Sequence, residues 1–439
     1  MAVSQTMSTV VAVQPHVDLA VRGARVLSDP SAALRSDAVV LIEGSKVVDV
    51  VDAAEGWDAA RTIEVDDGFI TPGLVNAHTH LGLSFARTLT HRGGQPIYDV
   101  FWPLETHLRV EDVEAFSALA AAESLLSGVT TVLDHYIHAE RAERVTNALG
   151  LRAFLGETVM TAAGPFGAES LDRSLSHVAA KRAPDALGRA LVAPHAVDTN
   201  DDRTLETMRA LSESSHVPLH LHLAQSSRER AVVAERVGCS SVEYARRLGL
   251  LERPSVLAHC SYLDPGDVDI LASGSGAVIA YCPTVQAMDG MVQPASTIER
   301  LGGCVAIGTD STPNERYSVL HEAAVAVLGQ RQAGLDWTPR QSLRAATTAL
   351  ADTLEIDGLG TLRPGSPADL VIWEGAAPHM AIADDPVIAA VMAPPRVHTT
   401  IVAGNPVVSD GVLCNASIDE ICSVSADAKR SLFERAGLS

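Results

Sequence analysis

Hydrophobic positions follow two rhythms along this chain. Residues 17 to about 70 carry short Val-rich runs, VDLAVRGARVL, DAVVLIEG and KVVDVVDA, cut by Gly, Asp and Ser. Such runs predict short strands. The same texture returns near the C-terminus in ADLVIWEG (368–375) and HTTIVAGNPVVSDG (398–411). Two strand-rich segments at opposite ends of a chain can build one small β domain, because termini often lie close together. Between about 72 and 355 the rhythm changes. Short buried-strand candidates at 129–133, 152–155, 190–193, 218–223, 255–258, 277–281 and 305–307 are each followed by a helical pattern. A stretch rich in Ala, Leu and Glu at 110–127 reads as a helix that Gly128 ends. Thr338-Pro339-Arg340 opens a late helix, with Thr as cap and Pro in the first turn. With the strand that ends in His78 and His80, eight strands alternate with helices. That pattern predicts an α/β fold, a (β/α)8 TIM-type barrel, with a small β-sandwich domain built from both ends of the chain. The expected division is a flexible tail at 1–16, sandwich at 17–70, barrel at 71–363, sandwich again at 364–415 and a C-terminal helix at 416–439.

Charge narrows the partners. The 439 residues hold 33 Lys+Arg against 54 Asp+Glu, a formal net charge of −21. Phosphate backbones and anionic membrane surfaces repel such a chain, so neither a nucleic acid nor a membrane is the expected partner. Aromatics are 4% of the chain, too few for a base-stacking platform. No apolar run reaches the length of a membrane span. The first residues, MAVSQTMSTVVAVQPH, lack the charged start, apolar core and cleavage site of a secretory signal. Six cysteines stand singly, without a CxxC pair, which fits a reducing, cytoplasmic setting and argues against a disulfide framework or a thiolate metal site. Cys260 and Cys282, near strand tops, read as packing residues.

The chemistry-bearing residues close the predicted strands, where a barrel places its active site. His78 and His80 end LVNAHTHLG; two apart on a strand, they point to the same side. His222 ends PLHLHLAQ, His259 ends SVLAHC and Asp310 ends VAIGTD. Three imidazoles and a carboxylate suit one divalent ion, zinc above all and iron as the alternative, with a position left for water. His220, two before His222, faces the same interior one layer deeper and reads as a packed, hydrogen-bonded histidine. No lysine in the middle strands stands where a metal-bridging carbamate would be expected, which favours one metal over two.

TPGLVNAHTHLG, HLHLAQS, LAHCSYL and GTDS resemble the amidohydrolase superfamily, and within it the branch of triazine hydrolases and heterocycle deaminases. The resemblance covers nearly the whole chain and includes the late LGTLRPGSPADLVIW. It implies that His78, His80, His222 and Asp310 hold the metal, that Asp310 doubles as general base, and that His259 polarises the attacked centre or orients the water. It also implies substrate contacts from Glu105 in WPLETHL, Arg152 and His195; His135, near the second strand's end, is the further candidate for the pocket lining, ahead of His138.

Three departures qualify the resemblance. Deaminases of this branch carry Glu three residues after the strand-five metal histidine, where it shuttles protons; here the residue is Gln225. An amide donates a hydrogen bond but moves no proton near neutral pH. Three readings stay open: the substrate needs only polarisation, another group carries the proton, or the chain kept the metal and lost the activity. YCPTVQAMDG lacks the Ser-Asn pair that many relatives have after the Pro, and Pro313-Asn314-Glu315-Arg316 replaces a more Asn-rich loop. The expected function is therefore a mononuclear metal-dependent hydrolase of a nitrogen heterocycle, purine, pterin, pyrimidine or triazine-like, most often a deaminase. The alternatives are displacement of halide or alkylamine, cyclic amide hydrolysis, or a non-catalytic metal-binding barrel. The expected partners are a small heterocyclic substrate and further copies of the chain, as a dimer or larger homo-oligomer.

Overall fold

Short Val- and Ile-rich segments with one apolar and one polar face pair where turns return the chain on itself. In the computed structural model, which describes residues 16–89, 96–183, 186–252, 254–273, 276–311 and 316–438, the first four do so: β1 (His16–Val26), β2 (Arg35–Glu43), β3 (Lys46–Asp52) and β4 (Asp58–Pro72). β1 runs antiparallel to β2 and parallel to β4. The expected tail lies outside the described residues up to residue 15.

One residue, Gly73, separates β4 from the first barrel strand. An added Cβ there would lie 2.2 Å from the Thr130 hydroxyl, so only glycine lets the chain cross so close to the neighbouring strand. The barrel strands are β5 (Leu74–Thr79), β6 (Val129–Tyr136), β7 (Arg152–Val159), β8 (Gly188–Pro194), β9 (Leu219–Leu223), β10 (Ser255–His259), β11 (Ala277–Tyr281) and β12 (Cys304–Ile307). They form one sheet in sequence order, each pair parallel. β5, β6, β9 and β10 are buried along their whole length, as strands covered on both faces must be. Helices such as Val110–Leu126, Ala139–Leu149, Asp202–Ser215 and Val319–Gln332 supply the cover. Gly128 follows the first of these with φ +82°, the backbone state that ends a helix. Thr338 caps its helix through its side chain, with Pro339 in the first turn.

β12 meets β5 just beyond its last regular residue. The N–H groups of Thr309 and Asp310 each donate to the His78 carbonyl at 3.0 Å. Asn76 and Thr309 exchange two further bonds, Nδ2 to Oγ1 at 2.8 Å and N–H to Oδ1 at 3.1 Å. The seam is tight enough that a Cβ on Gly308 would stand 2.9 Å from the Cβ, N and O of His78.

After the barrel, β13 (Leu370–Trp373) pairs antiparallel with β4 and begins the return. β14 (Val397–Val402), β15 (Asn405–Ser409) and β16 (Val412–Leu413) complete a mixed eight-stranded sheet of order β16-β15-β14-β13-β4-β1-β2-β3. The two ends of the chain thus share one sheet. The helix Ile418–Arg435 closes the chain against Val110–Leu126, where the Ser425 hydroxyl donates to the Ala115 carbonyl at 2.9 Å.

Candidate metal centre and active site

The C-terminal ends of the barrel strands bring five of the sequence candidates to one point. His78, His80 and Asp310 form one cluster and His78, His222 and His259 another, with potential ligand atoms within 4.8 Å of each other in each. Asp310 Oδ1 lies 3.2 Å from His80 Nε2 and 3.6 Å from His78 Nε2. His80 Nε2 and His222 Nε2 are 3.2 Å apart.

The outer nitrogens decide the tautomers. His222 Nδ1 lies 2.8 Å from the His195 carbonyl, and His80 Nδ1 faces the His135 carbonyl. A carbonyl oxygen can only accept, so Nδ1 carries the proton in both rings and Nε2 turns a lone pair inward. Two neutral rings with lone pairs this close repel each other unless a positive charge sits between them. His78 adds to the case: its Nδ1 is 2.8 Å from His220 Nε2, while its own Nε2 is buried without a hydrogen-bond partner. Two inward lone pairs, a third imidazole backed by His220 and one carboxylate match the donor set and outer support of a zinc-type site. The residues present therefore fit a divalent ion. His220 takes the supporting place behind His78.

Burial shapes the charge states. It pushes His78 down to about 3, and His222, His220, His135 and His259 also fall. Neutral imidazole is the form that binds metal. His80 goes the other way: burial opposes its charge, but Asp310, Asp134 and the His135 carbonyl outweigh it. Burial works against the Asp310 carboxylate as well, yet the His78, His80 and His259 rings beside it hold it well below the usual range. Asp310 (φ +56°) and His259 (φ +77°) both adopt left-handed backbone, a strained state for non-glycine residues that concentrates at functional sites. The amides of Gln286 and Gln293 donate to the His259 carbonyl and fix that turn.

Around the cluster opens a cavity of about 1090 Å³, counted out to its mouth. Its wall includes Glu105, His135, His195 and Gln225 beside His80, His222, His259 and Asp310. Glu105 is buried, accepts the Tyr136 hydroxyl at 2.9 Å and is pushed up to about 7 by burial, the Tyr136 bond pulling against it. His135 and His195 each bond a hydroxyl through Nδ1, Thr158 at 2.8 Å and Thr199 at 3.0 Å. Arg152 is the correction. It starts β7, at the far end of the barrel from the cluster, and its guanidinium pairs with Asp369 at 3.1 and 3.2 Å. A strand presents its first residue to the opposite mouth, so Arg152 ties the barrel to the mixed sheet and touches no part of this cavity. In the loop after Asp310, residues 313–315 lie outside the described residues.

Several residues of the site escaped sequence reasoning. Glu229 accepts the N–H groups of Ala224 and Gln225, both at 2.8 Å, and so holds the loop that carries Gln225; burial raises it to about 8. Asp134 accepts the Leu81 N–H at 2.6 Å and is raised by burial to about 7. The helix SRERAVVAERV carries two acids and three arginines, so nothing in the sequence set Glu229 apart.

Comparison with known proteins agrees with this geometry. The model of the amidohydrolase family matches residues 69–407. The chain belongs to the amidohydrolase family. Among its relatives is a 5-methylthioadenosine/S-adenosylhomocysteine deaminase of Nitratidesulfovibrio vulgaris, 30% identical over 90% of this chain and 92% of that protein. Another from the Miyazaki strain is 31% identical over 94% and 95%. In fold, the chain resembles an adenosine deaminase from Xanthomonas campestris with bound zinc (TM-score 0.88, 23% identity, 96% of this chain and 100% of that one). It also resembles an atrazine chlorohydrolase from Arthrobacter aurescens complexed with zinc (TM-score 0.81, 22% identity, 94% and 100%). This amidohydrolase is a hydrolase acting on C–N bonds. No helix among its described residues is long and apolar enough to cross a membrane.

Proposed function

We propose that this amidohydrolase deaminates the adenine-type ring of a small nucleoside, replacing an exocyclic amine with a hydroxyl. The observation that carries the reading is the convergence of three imidazoles and the Asp310 carboxylate at one side of a pocket. The relatives named as methylthioadenosine/adenosylhomocysteine deaminases over most of their length support the choice of ring. His78, His80, His222 and Asp310 would hold one divalent ion, zinc by the donor set, which supplies Lewis-acid activation of water when bound.

The remaining steps belong to the chain. Asp310, on the pocket wall, takes the proton that the attacking water gives up and returns it to the amine as the C–N bond breaks, so that ammonia departs. His259, held by two glutamines through its carbonyl, polarises the reacting ring from the end of β10. Gln225 donates an amide hydrogen bond to a ring nitrogen. Glu105, whose burial keeps its carboxyl near neutrality, can hold a proton on the same wall. Thr158 and Thr199 hold the His135 and His195 rings in place on the pocket wall.

Displacement of halide or alkylamine is a second reading; Gln225 favours the halide case, because halide departs without a proton. The test is metal content of the purified protein together with a screen of aminated and halogenated heterocycles for ammonia and halide. About one ion per chain with ammonia from an adenine nucleoside is the expected result. Halide or alkylamine without ammonia moves the chain to the second reading, and a protein that takes up no ion after reconstitution overturns both.

A further inference from the structure

Beyond the reacting centre, the cavity has an uneven distribution of charge. The ionised or ionisable acids on its described wall are Glu105, Asp289 and Asp310, and no Lys or Arg stands among the described residues of that wall. With Asp310 assigned to the ion, Glu105 and Asp289 remain to meet whatever substituent the ring carries. Asp289 is exposed at the mouth, and partial burial with Asp310 nearby raises its carboxyl. Between these acids the wall is aromatic: Tyr98, Phe101, Trp102, Phe166 and Tyr262. Among the described residues, Arg228 stands beside this region but off the wall. Its guanidinium lies over Tyr98 at 4.1 Å from the ring centroid, and 5.9 Å from that of Trp102.

From this distribution, and resting on the deaminase reading above, we propose that the pocket selects substrates whose tail is neutral or cationic and discriminates against tails that end in a carboxylate or phosphate. An apolar thioether tail gains contact area on the aromatic wall. An ammonium would gain in addition from ring faces and from the two acids. A carboxylate entering the same space gives up water, finds no basic partner on the described wall and approaches like charge. The two nucleosides in the names of the relatives differ in this respect: methylthioadenosine ends in a methyl group, whereas adenosylhomocysteine ends in an amino acid.

The experiment measures turnover and equilibrium binding of three compounds: methylthioadenosine, adenosylhomocysteine and the carboxamide of adenosylhomocysteine. The carboxamide keeps the size and removes the negative charge. The expected order places methylthioadenosine ahead of adenosylhomocysteine by about tenfold or more in kcat/KM, carried in KM, the scale of one unpaired charge near partly screened acids. The carboxamide should recover most of that loss, and Asp289→Asn should narrow the gap. Equal use of the first two compounds overturns the proposal. So does a carboxamide as poor as its parent, since size and not charge would then discriminate. If Arg228→Gln abolishes good binding of adenosylhomocysteine, the arginine is a carboxylate clamp and the proposal falls. Binding in the expected order without ammonia release would overturn the deaminase reading and leave the charge selection standing. Failure of all three compounds to bind overturns both.

Discussion

Gly308→Ala tests how the barrel seam positions the metal centre. The added methyl would sit 2.9 Å from three atoms of His78, its Cβ, N and O. Ordinary contacts between such atoms are more than half an ångström longer, and two of the three are main-chain atoms that cannot rotate away. The seam cannot widen freely either, because Thr309 and Asp310 donate to the same His78 carbonyl at 3.0 Å and Asn76 clasps Thr309. Forcing a methyl into such a place costs about 1–3 kcal/mol. At about 2.1 cal/mol/K per residue, that corresponds to a fall in Tm of about 1–3 °C if the chain unfolds as one unit. The displacement also moves the His78 ring against His220 and out of register with His80 and Asp310. Disturbing the support of a metal ligand typically weakens the ion by about 10–100-fold. The assay is thermal unfolding of chelator-treated and zinc-loaded protein, followed by competition for zinc with a chromophoric chelator. Gly329→Ala is the control: it lies within the helix Val319–Gln332, where its Cβ would meet only the Tyr281 hydroxyl at an ordinary 3.6 Å. That variant should gain about 0.5–1 kcal/mol from helix propensity. A Gly308→Ala protein with parental Tm and parental zinc affinity would refute the view that this seam places His78.

Four further outcomes follow from the same geometry. Arg152→Ala should destabilise the fold by about 3 kcal/mol, as for a buried pair that loses one partner, because Asp369 is left with only the Ala403 N–H; the folded fraction should keep its KM, read by steady-state kinetics against denaturant melts. Glu105 ionises near 7 in the fold against an ordinary 4.5, so the fold loses stability as pH rises through that window, by about 3 kcal/mol when complete; Glu105→Gln in metal-free protein should match the parent near pH 4.5, be the more stable above pH 7, and show no such crossover only if the burial argument is wrong. His222→Ala should lose metal and activity together, whereas Asp310→Asn should keep part of the metal and lose turnover, both read by metal analysis beside ammonia release. Gln225→Glu should speed ammonia release if protonation limits the reaction; abolished turnover would mark Gln225 as an adapted hydrogen-bond donor to the substrate.

The helices and strands were legible because their signals are local. Eight apolar runs alternating with amphipathic stretches have few ways to bury their surfaces, and the observed barrel uses all eight runs. The shared sheet was legible from texture alone, since the runs at 17–70 and 368–411 each leave unpaired edges that the other can fill. The five residues of the central cluster were legible for a related reason: each ends an apolar run, and strand ends of a parallel barrel all open on one mouth. Arg152 misled because it also belongs to a strand, but to its first residue. Polarity of the strand separates pocket from floor, and Asp369, more than two hundred residues on, fixes the outcome.

What the sequence by itself determined is therefore the alternation, the barrel and the set of groups able to hold an ion, all of which rest on periodicity and on residue type at strand ends. The tertiary structure alone decided the tautomers of His80 and His222, because the carbonyls of His135 and His195 reach them only across neighbouring strands. It alone decided the raised carboxyls of Glu105, Asp134 and Glu229, because burial is a property of what packs around a group. It alone showed a pocket with acids and aromatic rings but no described basic residue on its wall, since that wall is assembled from loops far apart in the chain. Local pattern encodes which surfaces must be buried; electrostatics and pocket chemistry depend on distances between residues that no local pattern encodes.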